Sequence, residues 1–219
     1  QDDPRNHQRY SKESPEYRFQ MEQRRQALID LLQQHGFSSN SRTRLLEVGC
    51  GSGGVLLEFQ NLGISPGNLL GIDLLYNRLR EANQHLPQSL VCNADAQYLP
   101  YTNATFDVVV QFTAFSSVLD ATVKNRMATE MLRVLTPGGI IIWYDFWWNP
   151  TNRQTRGIKP AEISALFPDC SITLKKTTLA PPLSRLLVPL SIGLARTVES
   201  GKLLNSHYLA LIHKNTGGS

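Results

Sequence analysis

Four glycines fall within the six residues Gly49–Gly54, directly after Leu45, Leu46 and Val48 and directly before Val55, Leu56, Leu57 and Phe59. A short strand, a glycine turn and a helix in that order offer a ligand bare backbone N–H groups and the positive end of a helix. Glycine serves there because the turn needs positive φ and because a ligand must approach the main chain closely. Further carboxylates and amides stand where strands should end. Asp73 lies 24 positions beyond Gly49, near the spacing of about 20 residues at which a strand-end carboxylate takes ribose hydroxyls. Asp95 and Ala96 occupy a turn before Pro100, Gln111 and Phe112 close an apolar run, and Asp145 sits inside Trp143-Tyr-Asp-Phe-Trp-Trp148.

The glycines alone fit two chemistries. Gly49, Gly51 and Gly54 satisfy the G-x-G-x-x-G pattern of dinucleotide sites. Glu47, Gly49, Gly51 and Gly53 satisfy the E-x-G-x-G-x-G pattern of S-adenosylmethionine enzymes. The choice between them has to come from elsewhere in the chain.

The elements that would position these residues alternate. A helix is expected from Pro15 to about His35, with Phe19, Ala27, Leu28, Leu31 and Leu32 on one stripe and Gly36 as its stop. Buried strands are expected at 45–48, 68–73, 89–93, 106–112 and 140–145, with helices at 76–85 and 122–134 between them. The continuous apolar run Phe106–Phe112 suits a parallel strand covered on both faces. Thr136-Pro-Gly-Gly139 reads as a turn. Alternating strands and helices imply an open α/β sheet, whose ligand lies beyond the carboxyl ends of the strands. Gly49, Asp73, Asp95, Gln111 and Asp145 would then meet in one crevice. The last third reads as an edge strand at 171–179, an apolar helical segment at 183–198 broken by Pro189, and a closing strand at 207–213.

With 219 residues, 41% hydrophobic and 18% charged, the chain suits one globular domain, 1–219, with a helical arm at 1–40 and a helical cap at 180–205. The net charge of +4 is spread along the chain rather than gathered on one element, so no nucleic-acid partner is expected. Cys50, Cys92 and Cys170 are far apart and lack metal-ligand spacing, which fits free thiols in a reducing compartment and no bound metal. No stretch reads as a signal peptide and no apolar run is long enough to span a bilayer, so a cytoplasmic location without stable membrane insertion is expected.

Five motifs in order resemble the class I S-adenosylmethionine-dependent methyltransferases, in particular the bacterial small-molecule group termed type 11. They are Leu45-Leu-Glu-Val-Gly-Cys-Gly-Ser-Gly53, Gly71-Ile-Asp73, Asn93-Ala-Asp-Ala-Gln-Tyr-Leu-Pro100, Phe106-Asp107, and Leu132-Arg-Val-Leu-Thr-Pro-Gly-Gly139. The resemblance spans about residues 44–145. It implies a Rossmann-like, seven-stranded, mostly parallel sheet with an antiparallel last strand and helices on both faces, and S-adenosyl-L-methionine as cofactor. It further implies that Glu47 and the backbone of Gly49, Cys50, Gly51 and Gly53 hold the methionine part. Asp73 would take the ribose hydroxyls, which one carboxylate can do with its two oxygens. Leu74 would pack on the adenine, Asp95 and the Ala96 N–H would meet its edge, and Gln111 and Phe112 would flank the reacting methyl. Asp107 and Arg133 are expected to be structural.

Methyl transfer from a sulfonium is an in-line displacement, so the protein mainly aligns donor and nucleophile in a dry site. Tyr17, Phe115, Tyr144, Phe146, Trp147 and Trp148 are the candidate substrate walls, while Trp143 is expected in the core. Asp145, His207 and Asp120 are the candidate general bases for an alcohol or amine acceptor. The expected reaction is methylation of an oxygen, or next a nitrogen, on a small, largely apolar natural product or modified peptide of secondary metabolism. Two alternatives stand beside it. One is a methyltransferase acting on lipid-linked sugar, glycan or quinone at a membrane surface; the other is a non-catalytic S-adenosylmethionine-binding module.

Overall fold

The computed structural model describes residues 14–37, 40–149 and 154–214. These residues form two compact units: one drawn from 1–37 and 175–209, the other from 38–174 and 210–219. Strands β6 (Cys170–Leu179) and β7 (Asn205–Lys214) contribute residues to both.

The larger unit holds β1 (Leu45–Val48), α2 (Gly54–Asn61), β2 (Leu69–Asp73), α3 (Tyr76–His85), β3 (Leu90–Asn93), β4 (Phe106–Phe112), α4 (Ala121–Val134), β5 (Leu135–Phe146) and α5 (Pro160–Leu166). The seven strands run in the order β3-β2-β1-β4-β5-β7-β6, with β1 to β5 parallel to one another and β7 antiparallel. The strand order reverses at β1, which lies between β2 and β4. That is the switch point at which an open α/β sheet leaves a crevice. Registers keep the carboxyl ends level: Val48 lies opposite Ile72, Asp73 opposite Asn93, and Phe112 opposite Tyr144.

Successive strand residues point to opposite faces, and here both sets are buried. Val109 and Ile141 pack with Met127, Met131 and Ile163 of α4 and α5, while Val108, Val110 and Ile142 between them are equally inaccessible. The middle of Phe106–Phe112, Val108 to Val110, is therefore apolar on both faces, as its sequence implied. Thr136–Gly139 departs from the expected separate turn. These residues belong to β5 and bulge out of register, since Phe106 faces Leu135 and Val108 faces Ile140. Gly138 at φ +77 supplies the backbone conformation that such a bulge requires. Helix α5 was not anticipated, although Pro160 at its first turn is a usual start signal.

The smaller unit holds α1 (Pro15–Gln34), α6 (Pro181–Leu187), α7 (Ile192–Ser200) and parts of β6 and β7. Ser14 caps α1 by accepting from the Tyr17 N–H at 3.2 Å, and the buried stripe is the expected Phe19, Ala27, Leu28, Leu31 and Leu32. Gly36, at φ +63, ends it. Phe19 and Leu179 pack with Val188 and Ala195, joined by Leu183, Leu187 and Val198. Pro189 falls between the two cap helices rather than inside one, so it costs no helical hydrogen bond.

Candidate functional site

The crevice at the switch point is built on one carboxylate. Asp73 accepts from the Gly51 N–H through Oδ2 and from the Leu75 N–H through Oδ1, both at 2.8 Å. It thereby ties the end of β2 to the glycine loop, and each oxygen keeps lone pairs for a further donor. The loop is closed from below by Gly49 and Cys50, whose N–H groups both donate to Ile72 O at 2.9 Å. Gly49, Gly51 and Gly53 have φ of +78, +50 and +79. A Cβ on Gly49 would stand 2.9 Å from the Ala114 Cβ, and one on Gly53 would stand 2.8 Å from Leu86 Cδ1. Both positions therefore need glycine for conformation and for space. Cys50 packs its sulfur over Gly71, where a Cβ would come within 2.8 Å. Burial, together with the Glu47 and Asp73 carboxylates, pushes its thiol well above the ordinary range, so it is an inert filler of the turn. Glu47 is buried in β1, two residues before the loop.

Beside this cradle Leu74 is 67% exposed, an apolar side chain left at the rim of a polar crevice. Asn93 holds the neighbouring loop by donating through Nδ2 to the carbonyls of Asp73 and Leu74, each at 2.9 Å. The Asp95 carboxylate accepts from the Gln97 N–H at 2.9 Å and from Gln97 Nε2 at 3.1 Å, which fixes the turn that carries Ala96. Neither Asn93 nor Gln97 was singled out beforehand; an Asx turn at Asp95-x-Gln97 is the local signal that would have found the second.

At the end of β4, Gln111 is wholly buried and its Oε1 accepts from the Ala114 N–H at 3.0 Å and the Phe115 N–H at 3.4 Å. It caps a short 3₁₀ turn, Phe115–Ser117. Thr113 stands between them at φ +62, a strained conformation for a β-branched residue of the kind that collects at functional sites. Asp145 on β5 braces the same turn: its Oδ2 accepts from the Ser116 N–H at 3.0 Å and its Oδ1 from the Phe146 N–H at 2.8 Å. Burial raises its pKa to about 6 against these bonds, which favour the charged form.

The aromatic candidates divide. Phe115 is fully buried against Trp143, 4.4 Å between ring centroids, and Trp143 meets Phe167 edge-on, so this pair belongs to the core. Phe112 and Tyr144 are buried side by side at 5.4 Å. Phe146 and Trp147 are half-buried and Trp148 is 50% exposed, with Lys159 over the Trp147 ring at 5.2 Å. A Cβ on Gly157 would collide with the Trp147 carbonyl, so this chain can pass there only as glycine. Asp107 clamps the Arg44 N–H at 2.9 Å, and Arg133 donates to the carbonyls of Leu99 and Tyr101, both structural as expected. Asp120 caps α4 by accepting from the Thr122 and Val123 N–H groups.

Tyr17 and His207 belong to the smaller unit. Tyr17 is half-buried in the first turn of α1. His207 is buried, its Nδ1 3.1 Å from Ser206 Oγ, and burial with the Arg24 charge pulls its pKa down to about 3. It is therefore neutral at any physiological pH. Among the described residues no cluster of His, Cys, Asp or Glu could hold a metal ion, and no helix is long and apolar enough to cross a membrane.

Residues 46–143 match the family described as Methyltransferase domain. Over 115 residues the chain is 32% identical to phthiotriol/phenolphthiotriol dimycocerosates methyltransferase of Mycobacterium leprae, covering 52% of this chain and 40% of that protein. It is 32% identical over 106 residues to a sterol 4-C-methyltransferase of Caenorhabditis elegans, covering 46% and 30%. The chain thus spans less than half the length of these curated relatives. Its fold is similar to that of geranyl diphosphate C-methyltransferase from Streptomyces coelicolor, solved with geranyl diphosphate and S-adenosyl-L-homocysteine. There the TM-score is 0.63 at 16% identity, covering 85% of this chain and 76% of that one.

Proposed function

We propose that this chain carries a class I S-adenosylmethionine-dependent methyltransferase domain and moves a methyl group from S-adenosylmethionine to a small, largely apolar acceptor. The observation that carries the proposal is the crevice at β1: a glycine turn held at positive φ, the Asp73 carboxylate bonded to it, and exposed Leu74 at its rim. These residues fit the cofactor. The backbone of Gly49 to Gly53 with Glu47 would hold the methionine part, Asp73 the ribose, Leu74 the adenine face, and Asp95 with Ala96 its edge. When bound, the cofactor supplies a methyl already activated on a sulfonium.

What remains for the chain is alignment and exclusion of water, which in a bimolecular displacement is worth many orders of magnitude. Phe112 and Tyr144 line the end of β4 and β5, with Phe146, Trp147 and Trp148 beyond them as the acceptor wall. Phe115 backs this wall from the core. Asp145 and Gln111 act as positioning residues: together they fix the Phe115–Ser117 turn, and both Asp145 oxygens are engaged by backbone donors. With both Asp145 oxygens engaged, an acceptor that deprotonates easily, or one that carries no proton at the attacking atom, suits this site best. Oxygen and then nitrogen are the proposed acceptor atoms; the sterol and geranyl diphosphate enzymes among its likenesses act at carbon by name, and they support a lipid-like acceptor over a modified peptide. Free Cys50, Cys92 and Cys170 suit a reducing cytoplasm, the proposed location.

The test has two parts. Calorimetry with S-adenosylmethionine should show binding, and incubation with a panel of prenyl, steroid and phenolic acceptors should give products heavier by one CH₂. Binding without any methylated product would favour the non-catalytic module instead.

A further inference from the structure

The two cap helices have apolar residues on the wrong side. Leu183, Leu187, Val188, Ala195 and Val198 already face the packed interior with Phe19 and Leu179. A helix covering a small core should turn a polar face to water. Instead Leu186, Leu190, Ile192 and Leu194 are 60%, 72%, 52% and 48% exposed, and Leu203 and Leu204 just after α7 are 84% and 50% exposed. All of them lie within residues 186–204 of the smaller unit, on the two cap helices and the turns that flank α7.

The charges around this stretch are cationic. Arg185 and Arg196 form no ion pair among the described residues, and Lys202 is matched by Glu199 at 2.7 Å. The segment thus carries a net positive charge beside its aliphatic side chains. A second copy of the chain would be a poor cover. A two-fold contact sets the same surface against itself, so a segment of net positive charge would face another of the same sign. An anionic bilayer answers both properties, receiving the aliphatic side chains below its headgroups and the guanidinium groups among its phosphates.

We infer that α6, α7 and Leu203–Leu204 form a docking face for an anionic membrane surface, on which the protein rests without spanning the bilayer. The turn at Pro189 keeps both helices short, with Leu190 exposed in the connection and Ile192 exposed at the first residue of α7. Docking needs neither cofactor nor acceptor, so its failure would leave methyl transfer untouched.

The experiment is flotation of the full chain with vesicles of phosphatidylcholine alone and of phosphatidylcholine with about one-third phosphatidylglycerol. The protein should float with the anionic vesicles and much less with the neutral ones, and 1 M salt should weaken the binding, since it shortens the screening length to about 3 Å. The double variant L190S/L203S should lose at least about tenfold in vesicle affinity, given the aliphatic surface removed. R196E should weaken binding to the anionic vesicles alone. Both variants should keep the wild-type melting temperature and S-adenosylmethionine affinity, which shows that the fold is intact. Equal flotation of wild type and L190S/L203S, or no flotation at all, would overturn the inference. So would a concentration-dependent dimer in sedimentation velocity that L190S/L203S dissolves, because the face would then belong to a second copy.

Discussion

The larger unit and the smaller one distribute polarity in opposite ways. Around the glycine loop, polar groups are displayed at the ends of strands whose interiors are mostly apolar. Asp73, Asp95 and the glycine turn Gly49–Gly53 stand just beyond the carboxyl ends of β1 to β3, with Leu74, Leu75 and Tyr76 exposed beside Asp73. In the smaller unit Thr177, Thr178, Ser184, Asn205, Ser206 and His207 are buried, while the aliphatic residues of α6 and α7 face outward. A strand-end crevice recruits a polar cofactor into fixed donors and acceptors. A surface with its polar groups inside and its leucines outside recruits an apolar environment. The difference separates a unit built to hold a ligand from one built to meet a surface.

The sharpest way to break this contrast is to remove the acceptor at its centre. Asp73→Ala would delete both of the proposed ribose bonds and free the Gly51 and Leu75 N–H groups. The loss in S-adenosylmethionine affinity should be at least about hundredfold by calorimetry, as expected for two charge-assisted bonds. Unchanged affinity would remove Asp73 from the site. Gly49→Ala should be the next most damaging change. It forces an L side chain to φ +78 and into the Ala114 Cβ, costing about 2–4 kcal/mol, readable as a lowered urea midpoint.

The two buried titratable groups test the units separately, with opposite signs. Asp145 has its pKa raised from 3.8 to about 6, so the folded state takes up a proton that the unfolded chain does not between those values. Its contribution to stability is therefore present at about pH 4 and lost as the pH rises through 6. Asp145→Asn should flatten the stability profile across that window. His207 has its pKa lowered from 6.5 to about 3, so the unfolded chain binds the extra proton. Its contribution is intact above pH 6.5 and lost as the pH falls below it, and His207→Gln should remove that acid sensitivity. If either profile keeps its slope, the burial that shifts that group is not what the structure describes. The smallest effect belongs to the exposed cap: Leu203→Ser should change stability by no more than about 0.5 kcal/mol in chemical denaturation, because the side chain buries almost nothing.

The strand ends were legible from the chain alone because glycine spacing, apolar runs and terminal carboxylates are local patterns. Fixing Gly49, Asp73 and Asp95 in one crevice then needed only the rule that parallel strands finish together. Leu28, Leu31 and Leu32 were legible as a core stripe for the same local reason. What the pattern could not separate was Phe115 from Trp147, or Asp145 from a catalytic carboxylate. An aromatic or a carboxylate after a strand reads alike whether it points into the core, caps a turn or lines a cleft. Only packing distinguishes these cases. Phe115 stacks on Trp143, and Asp145 spends both oxygens on backbone N–H groups more than a single residue apart in sequence, at Ser116 and Phe146.

By itself, then, the sequence determined the glycine turn after β1 and the carboxylate at the end of β2, because positive φ demands glycine at set positions and an apolar run marks where a buried strand stops. The tertiary structure decided which polar groups are structural and which apolar ones face outward. Burial depends on partners far apart in the chain: Leu186 and Leu187 are neighbours in sequence, yet one is packed with Phe19 and Leu179 and the other faces solvent.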